Sequence, residues 1–156
     1  MRTIRLTDDQ LAEAHHGTFG TYFRVSKTRG LKVLHKTSIK KLKKEFGYLT
    51  LGYEAGVAPK PFGIVRVETF GGYPIEYGIL MQHIEKGRDI KSMNGEQIDE
   101  LGDYVNKKLS EFSIQHNDLH ASNLIIEYTS KRIIAIDWGP NGIRKSKYKK
   151  LDYTFE

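Results

Sequence analysis

The stretch His116-Asn117-Asp118-Leu119-His120-Ala121-Ser122-Asn123, followed later by Ile136-Asp137-Trp138-Gly139, decides how this sequence is read. Between the two lie Leu124–Glu127 and Ile133–Ile136, apolar, β-branched runs separated by a polar turn. That pattern predicts a hairpin. A polar loop therefore enters the hairpin, and an acidic residue leaves it. Taken alone, Asp118 and Asn123 read as plain turn residues that satisfy their own backbone. Such a reading leaves Asp137, and the order of the pieces, unexplained.

Phosphoryl transfer needs a carboxylate near the attacking hydroxyl, and an amide and a second carboxylate to hold metal against phosphates. The Asp-x-x-x-x-Asn spacing resembles the protein-kinase catalytic loop, and Asp-Trp-Gly resembles the metal-binding Asp-Phe-Gly. Either motif alone is weak; the two in order around a hairpin are specific. The chain thus resembles the protein-kinase-like superfamily over roughly residues 14–139. The His-x-Asp-Leu-His-x-x-Asn form is most similar to the atypical branch of RIO kinases, the small kinase of the tRNA-modifying KEOPS complex and aminoglycoside phosphotransferases. The resemblance implies ATP and Mg²⁺ as cofactors, Asp118 as catalytic aspartate, and Asn123 and Asp137 as metal ligands. It also implies that His116 packs against Trp138 and braces the loop. His120 receives no chemical role.

Working outward, Gly17-Thr18-Phe19-Gly20 precedes a strand. Glycines let backbone N–H groups approach phosphates, and the four residues resemble the end of a kinase Gly-rich loop, with His15 in place of its first glycine. Leu31-Lys32-Val33-Leu34 resembles the strand that carries the phosphate-binding lysine. Lys32 is favoured over Lys36, which abuts the next helix. The resemblance pairs that lysine with a helix carboxylate, Glu45, with Glu54 as the alternative. Ile79 to Glu85 resembles the segment running into a kinase hinge, with Met81 as gatekeeper and main-chain adenine contacts at Gln82 and Ile84. Without the other motifs it reads as an ordinary buried strand.

The remaining elements follow from pattern. Thr7 and Gln10 resemble a capping box and predict a short helix over 8–15. Thr28-Arg29-Gly30 reads as a tight turn between strands. Leu42, Phe46, Leu49 and Tyr53 stripe a helix over 38–53, and Ile98, Leu101, Val105, Leu109 and Phe112 another over 96–112. Two strands near 62–68 and 75–83 flank Gly71-Gly72. Ile114–Asn123 reads as irregular, and residues 140–156 as a basic tail without strong period.

Composition bounds the rest. The 156 residues suit one domain, with 38% apolar and 28% charged residues as in a soluble globular protein. The absence of cysteine excludes thiolate chemistry and disulfides. The first residues lack a signal-like apolar run, so a cytoplasmic location is expected. The expected fold is α+β and two-lobed. Residues 1–84 form a small antiparallel N-lobe sheet with one helix, and 85–139 a reduced C-lobe, with ATP between them. The resemblance implies a protein serine/threonine kinase able to phosphorylate itself; an ATPase-like regulatory subunit is the alternative. A net charge of +6 favours polyanionic partners. Arg144, Lys145, Lys147, Lys149 and Lys150 would meet a protein or nucleic-acid-associated partner.

Overall fold

The computed structural model describes residues 1–16, 20–34, 38–69 and 76–145. The chain divides into two compact units, Met1–Phe46 with Lys60–His83, and Gly47–Pro59 with Ile84–Glu156.

The first unit is built on strand β1 (Thr3–Leu6), helix α1 (Asp8–Ala12), strands β2 (His15–His16), β3 (Gly20–Arg24) and β4 (Arg29–Leu34), the first half of helix α2 (Ile39–Glu54), and strands β5 (Pro61–Thr69) and β6 (Glu76–Gln82). The sheet order is β1-β5-β6-β4-β3-β2. All neighbours are antiparallel except β1 and β5, which run parallel from Thr3 beside Arg66 to Leu6 beside Thr69. The sheet is thus mixed, not purely antiparallel. Leu6, Phe23, Leu31, Val33, Val65, Val67 and Leu80 bury one face of it, with Leu11 and Ala14 packed against them. Lys32 lies between two members of that core, so strand alternation sends it to the opposite face.

Local chemistry explains the boundaries. The Thr7–Gln10 capping box forms as expected. The helix stops at Ala12, short of the predicted 15, because His15 and His16 pair with Tyr22 and Thr21. The hairpin turn falls at 25–28 instead of 28–30: the Val25 and Ser26 N–H groups both donate to the Arg29 carbonyl, at 3.1 and 3.2 Å. Gly30 belongs to β4. The Gly71-Gly72 turn lies outside the described residues.

The second unit contains the rest of α2, helix α3 (Gly95–Leu109), and the short strands β7 (Ile114–His116), β8 (Leu124–Ile126), β9 (Ile133–Ala135) and β10 (Ile143–Lys145). Asn94 caps α3 in a capping box with Gln97, and Lys107 and Lys108 occupy its last turn, where cations suit the helix dipole. Val105 and Leu109 are fully buried, as the stripe predicts. The β8–β9 hairpin forms with Leu124 opposite Ala135. The segment read as irregular begins with β7, and the supposed tail supplies its antiparallel partner β10. Both are three residues long, too short for alternation to show in sequence.

Along α2, Leu42, Glu45 and Leu49 are buried, whereas Tyr53 is exposed. In the second unit the buried position is taken by Gly52. A β-carbon there would lie 2.6 and 2.7 Å from the Trp138 ring and 2.9 Å from Ala58 Cβ. Ala ordinarily gains about 1 kcal/mol over Gly inside a helix. Here overpacking against a buried ring costs about 1–3 kcal/mol, so Gly52→Ala is expected to lower stability. Urea unfolding checks this; a gain in stability would mean that Trp138 does not pack on α2.

Candidate functional site

The candidate residues fall into two groups, one in each unit. In the second unit, β7 delivers His116 to the start of the polar loop. Asn106 of α3 clamps the strand end: its Nδ2 donates to the His116 carbonyl at 3.0 Å, and its Oδ1 accepts the His116 N–H at 2.7 Å. Sequence reading did not single out Asn106, because a mid-helix asparagine carries no signal until its strand partner is known.

The buried His116 ring joins the two motifs. Its Nδ1 accepts the Asp118 N–H at 3.1 Å, and its Nε2 bonds the Asp137 carbonyl at 2.7 Å. A backbone N–H can only donate and a carbonyl only accept, so the ring is neutral with its proton on Nε2. Burial pushes its pKa below the usual value, against the raising effects of the Asp137 and Ile136 backbone and of the Asp137 and Asp118 charges. The ring also meets Trp138 edge-on, with centroids 5.2 Å apart and planes at 78°. The expected His116–Trp138 packing is present; the bridge between Asp118 and Asp137 is the added finding.

A pH dependence follows. A histidine whose folded pKa is depressed binds more protons when unfolded. Its contribution to stability is complete above the unfolded value of about 6.5 and is lost as pH falls through that value toward the folded pKa. Unfolding measured from pH 7.5 to 5 should show this loss, and His116→Gln should flatten it. An equal slope in both proteins would assign the effect to other groups.

Asp118 is exposed. Asn123 Nδ2 donates to its carbonyl at 2.8 Å and lies 3.3 Å from its Oδ2. The Asn123 carbonyl accepts the Ile136 N–H at 2.8 Å, one step beyond the last β8–β9 pair. Asn123 thus sits beside the chain that leads into Asp137. Asp137 adopts a left-handed conformation, φ 63°, and its Oδ1 accepts the Gly139 N–H at 3.3 Å. Aspartate tolerates this conformation through such local bonds, and sparsely populated backbone gathers at functional sites. The Trp138 indole N–H donates to the Ala135 carbonyl at 2.9 Å and locks the turn.

His120, given no chemical role by sequence, lies against the same carboxylate: Nε2 is 3.3 Å from Asp118 Oδ1. Its Nδ1 accepts the Ser122 N–H at 3.2 Å. A ring proton therefore sits on Nε2. Its partner is the Asp118 carboxylate and not the Asn123 amide, which is itself a donor.

With Nδ2 turned to Asp118, Asn123 keeps its side-chain oxygen, Oδ1, as a metal-ligating atom. Asn123 and Asp137 then offer hard oxygen ligands. Among the described residues no group of three or more His, Asp or Glu side chains forms a metal cage. That donor set fits Mg²⁺, which takes one or two protein ligands and completes its shell with phosphates and water.

In the first unit, Lys32 Nζ lies 2.9 Å from Glu45 Oε2, with side-chain exposures of 19% and 4%. The pair stands on the sheet face opposite the Leu31–Val33 core. Glu54 is exposed at the C-terminal end of α2. Lys36, Gly17, Thr18 and Phe19 lie outside the described residues. Gly20 is buried at the start of β3, where a β-carbon would lie 2.6 Å from the Val33 carbonyl oxygen; close strand approach alone explains it. Met81 is buried near the end of β6. The Gln82 N–H donates to the Lys60 carbonyl at 2.8 Å. Ile84, in the second unit, packs with Ile125 and Ile134. Arg144 and Lys145 are exposed on β10; Lys147, Lys149 and Lys150 lie outside the described residues.

The mixed sheet with its buried lysine–glutamate pair, and the hairpin unit with its looped aspartates, have a small protein-kinase-like fold. A solved structure similar to this chain is the kinase PK-1 of the Cydia pomonella granulovirus, with a TM-score of 0.56 over 88% of this chain. The identity is 16%, so the likeness concerns fold, and the chain spans 57% of that kinase's length. It supports a kinase-like fold without extending to the atypical branch suggested by the loop motif. No protein-family model and no curated protein sequence matches.

Proposed function

We propose that this chain is an ATP- and Mg²⁺-dependent phosphotransferase acting on serine or threonine hydroxyls of a protein, itself included. The observation that carries the reading is the His116 ring, whose two hydrogen bonds tie the Asp118 loop to Asp137. Mg-ATP supplies the phosphoryl group and the charge that neutralises it. Asn123 and Asp137 would hold the metal through their side-chain oxygens. Lys32, steadied by Glu45, holds phosphate oxygens. Asp118 orients the acceptor hydroxyl and takes its proton as the new P–O bond forms and ADP leaves. The Asp-Leu-His-x-x-Asn loop favours an atypical kinase. Arg144 and Lys145, with the lysines that follow, suit an acidic or phosphate-rich partner. Among the described residues no helix is long and apolar enough to cross a membrane.

The test is incubation with γ-labelled ATP and Mg²⁺, alone and with a protein lysate, followed by phosphoamino-acid analysis. Label in phosphoserine or phosphothreonine is the expected result. Release of free phosphate without labelled protein would favour a nucleotide-switched regulatory subunit and remove the kinase reading.

A further inference from the structure

We infer that the second unit carries a basic cleft that reads acidic side chains flanking the acceptor hydroxyl, so that the substrates of this chain are acidic protein segments. This rests on the phosphotransferase reading and deepens it by naming the substrate class. Residues 86–91, with Ala121 and Ser122 of the polar loop, enclose a cleft of about 260 Å³. That is below the roughly 300–1,000 Å³ of small-molecule sites, so the cleft suits a side chain. Lys86, Arg88 and Lys91 line it and are exposed. Among the described residues none of the three is in an ion pair. The one carboxylate on the lining, Asp89, is directed to backbone: its Oδ1 accepts the Lys91 N–H at 3.0 Å and caps the 3₁₀ turn Ile90–Ser92. Three like charges around one cleft repel one another, and an anion set between them removes that repulsion.

The cleft is held by its backbone. The Gly87 N–H donates to the Ile126 carbonyl at 2.8 Å, and the Tyr128 N–H to the Glu85 carbonyl at 3.0 Å, so the segment is laid along β8. Gly87 permits that approach, because a β-carbon there would lie 3.0 Å from Tyr128 Cα and 3.1 Å from the Ile126 carbonyl oxygen. Ile90 is buried and anchors the turn. Leu124 and Ile125 give the cleft an apolar side that suits the methylene stem of a glutamate. The nearness of the polar loop decides what the occupant is. The Ser122 N–H donates to His120 Nδ1 at 3.2 Å, and the other nitrogen of that ring lies 3.3 Å from Asp118 Oδ1. One imidazole thus separates the cleft wall from the carboxylate that meets the acceptor hydroxyl. An extended chain covers about 3.3–3.6 Å per residue, so a residue roughly two or three places from the acceptor reaches the cleft. Cations fixed there select a carboxylate and oppose a lysine or arginine at the same place.

Transfer from Mg-ATP to a serine-centred degenerate peptide library provides the test, with the phosphorylated peptides sequenced. The wild type should enrich aspartate and glutamate within about three positions of the serine and deplete lysine and arginine. The triple variant Lys86→Gln, Arg88→Gln, Lys91→Gln should lose that bias. Its kcat/KM for a glutamate-flanked peptide should fall roughly 3- to 150-fold, the sum of three exposed charge pairs. Its affinity for Mg-ATP should stay within about twofold of the wild type. The double variant Arg88→Glu, Lys91→Glu should reverse the bias toward lysine-flanked peptides, which separates recognition from any loss of folding. The glutamate preference should shrink as salt rises. No acidic bias in the wild type, or the same bias in the triple variant, overturns the cleft and leaves the phosphotransferase reading standing. So does labelling of the chain itself with no transfer to any peptide. A wild type that labels neither itself nor a peptide overturns both.

Discussion

Asp118→Asn is expected to lower phosphoryl transfer roughly 10²–10⁴-fold, the range for removing a general base, while Mg-ATP binding stays near the wild-type value. The substitution preserves shape. The loop bonds made at this position use mostly backbone: the Asp118 N–H to His116, and its carbonyl from Asn123. Both survive. What is lost is the carboxylate that accepts a proton and that faces His120. Single-turnover transfer, compared with nucleotide affinity in the same protein, separates chemistry from binding. Equal turnover in variant and wild type would take Asp118 out of the mechanism.

Lys32→Met should cut both transfer and stability. It strands Glu45, whose side chain is 4% exposed, without its cation. Removing one partner of a buried pair costs about 3–5 kcal/mol. The partial exposure of Lys32 places the expected loss at the low end, about 3 kcal/mol. Adding Glu45→Leu removes the stranded charge and should restore most of the stability, since apolar replacement of a whole buried pair is often neutral. Transfer should remain abolished in the double variant, because stability was not what it lacked. Urea unfolding and transfer assays on the same three proteins check both halves. Recovery of transfer in the double variant would make the pair a folding device only.

These two predictions rest on residues that sequence alone picked out, for different reasons. Asp118, Asn123 and Asp137 are legible because their spacing is local and brackets a hairpin whose β-branched strands are unmistakable. Lys32 is legible because it lies inside the strand pattern Leu31–Leu34, whereas its rival Lys36 abuts the next helix. Glu45 was one of two candidates until burial separated it from Glu54. What sequence does not show is whatever depends on a partner distant along the chain. The His116 bridge needs Asp137, the Asn106 clamp needs β7, and Gly30 reads as a turn until the Tyr22 ring is seen lying on it. Gly52, likewise, is a weak helix residue until Trp138 appears beside it. The parallel strand β1 is four residues long, with no pattern to announce it.

That strand has a consequence for the order of events during synthesis. Thr3 pairs with Arg66, and Leu6 with Thr69, each 63 positions further on. At about 5–20 residues per second, the β1 segment waits roughly 3–12 s for its partner to be made. Through that interval Leu6 has no neighbouring strand; when β5 appears, its outer edge is an open row of amides and carbonyls, of the kind that invites foreign pairing, until β1 docks. Of the six strands, β1 therefore waits longest for its partner, and the sheet closes only when β6 is made and enters between β5 and β4.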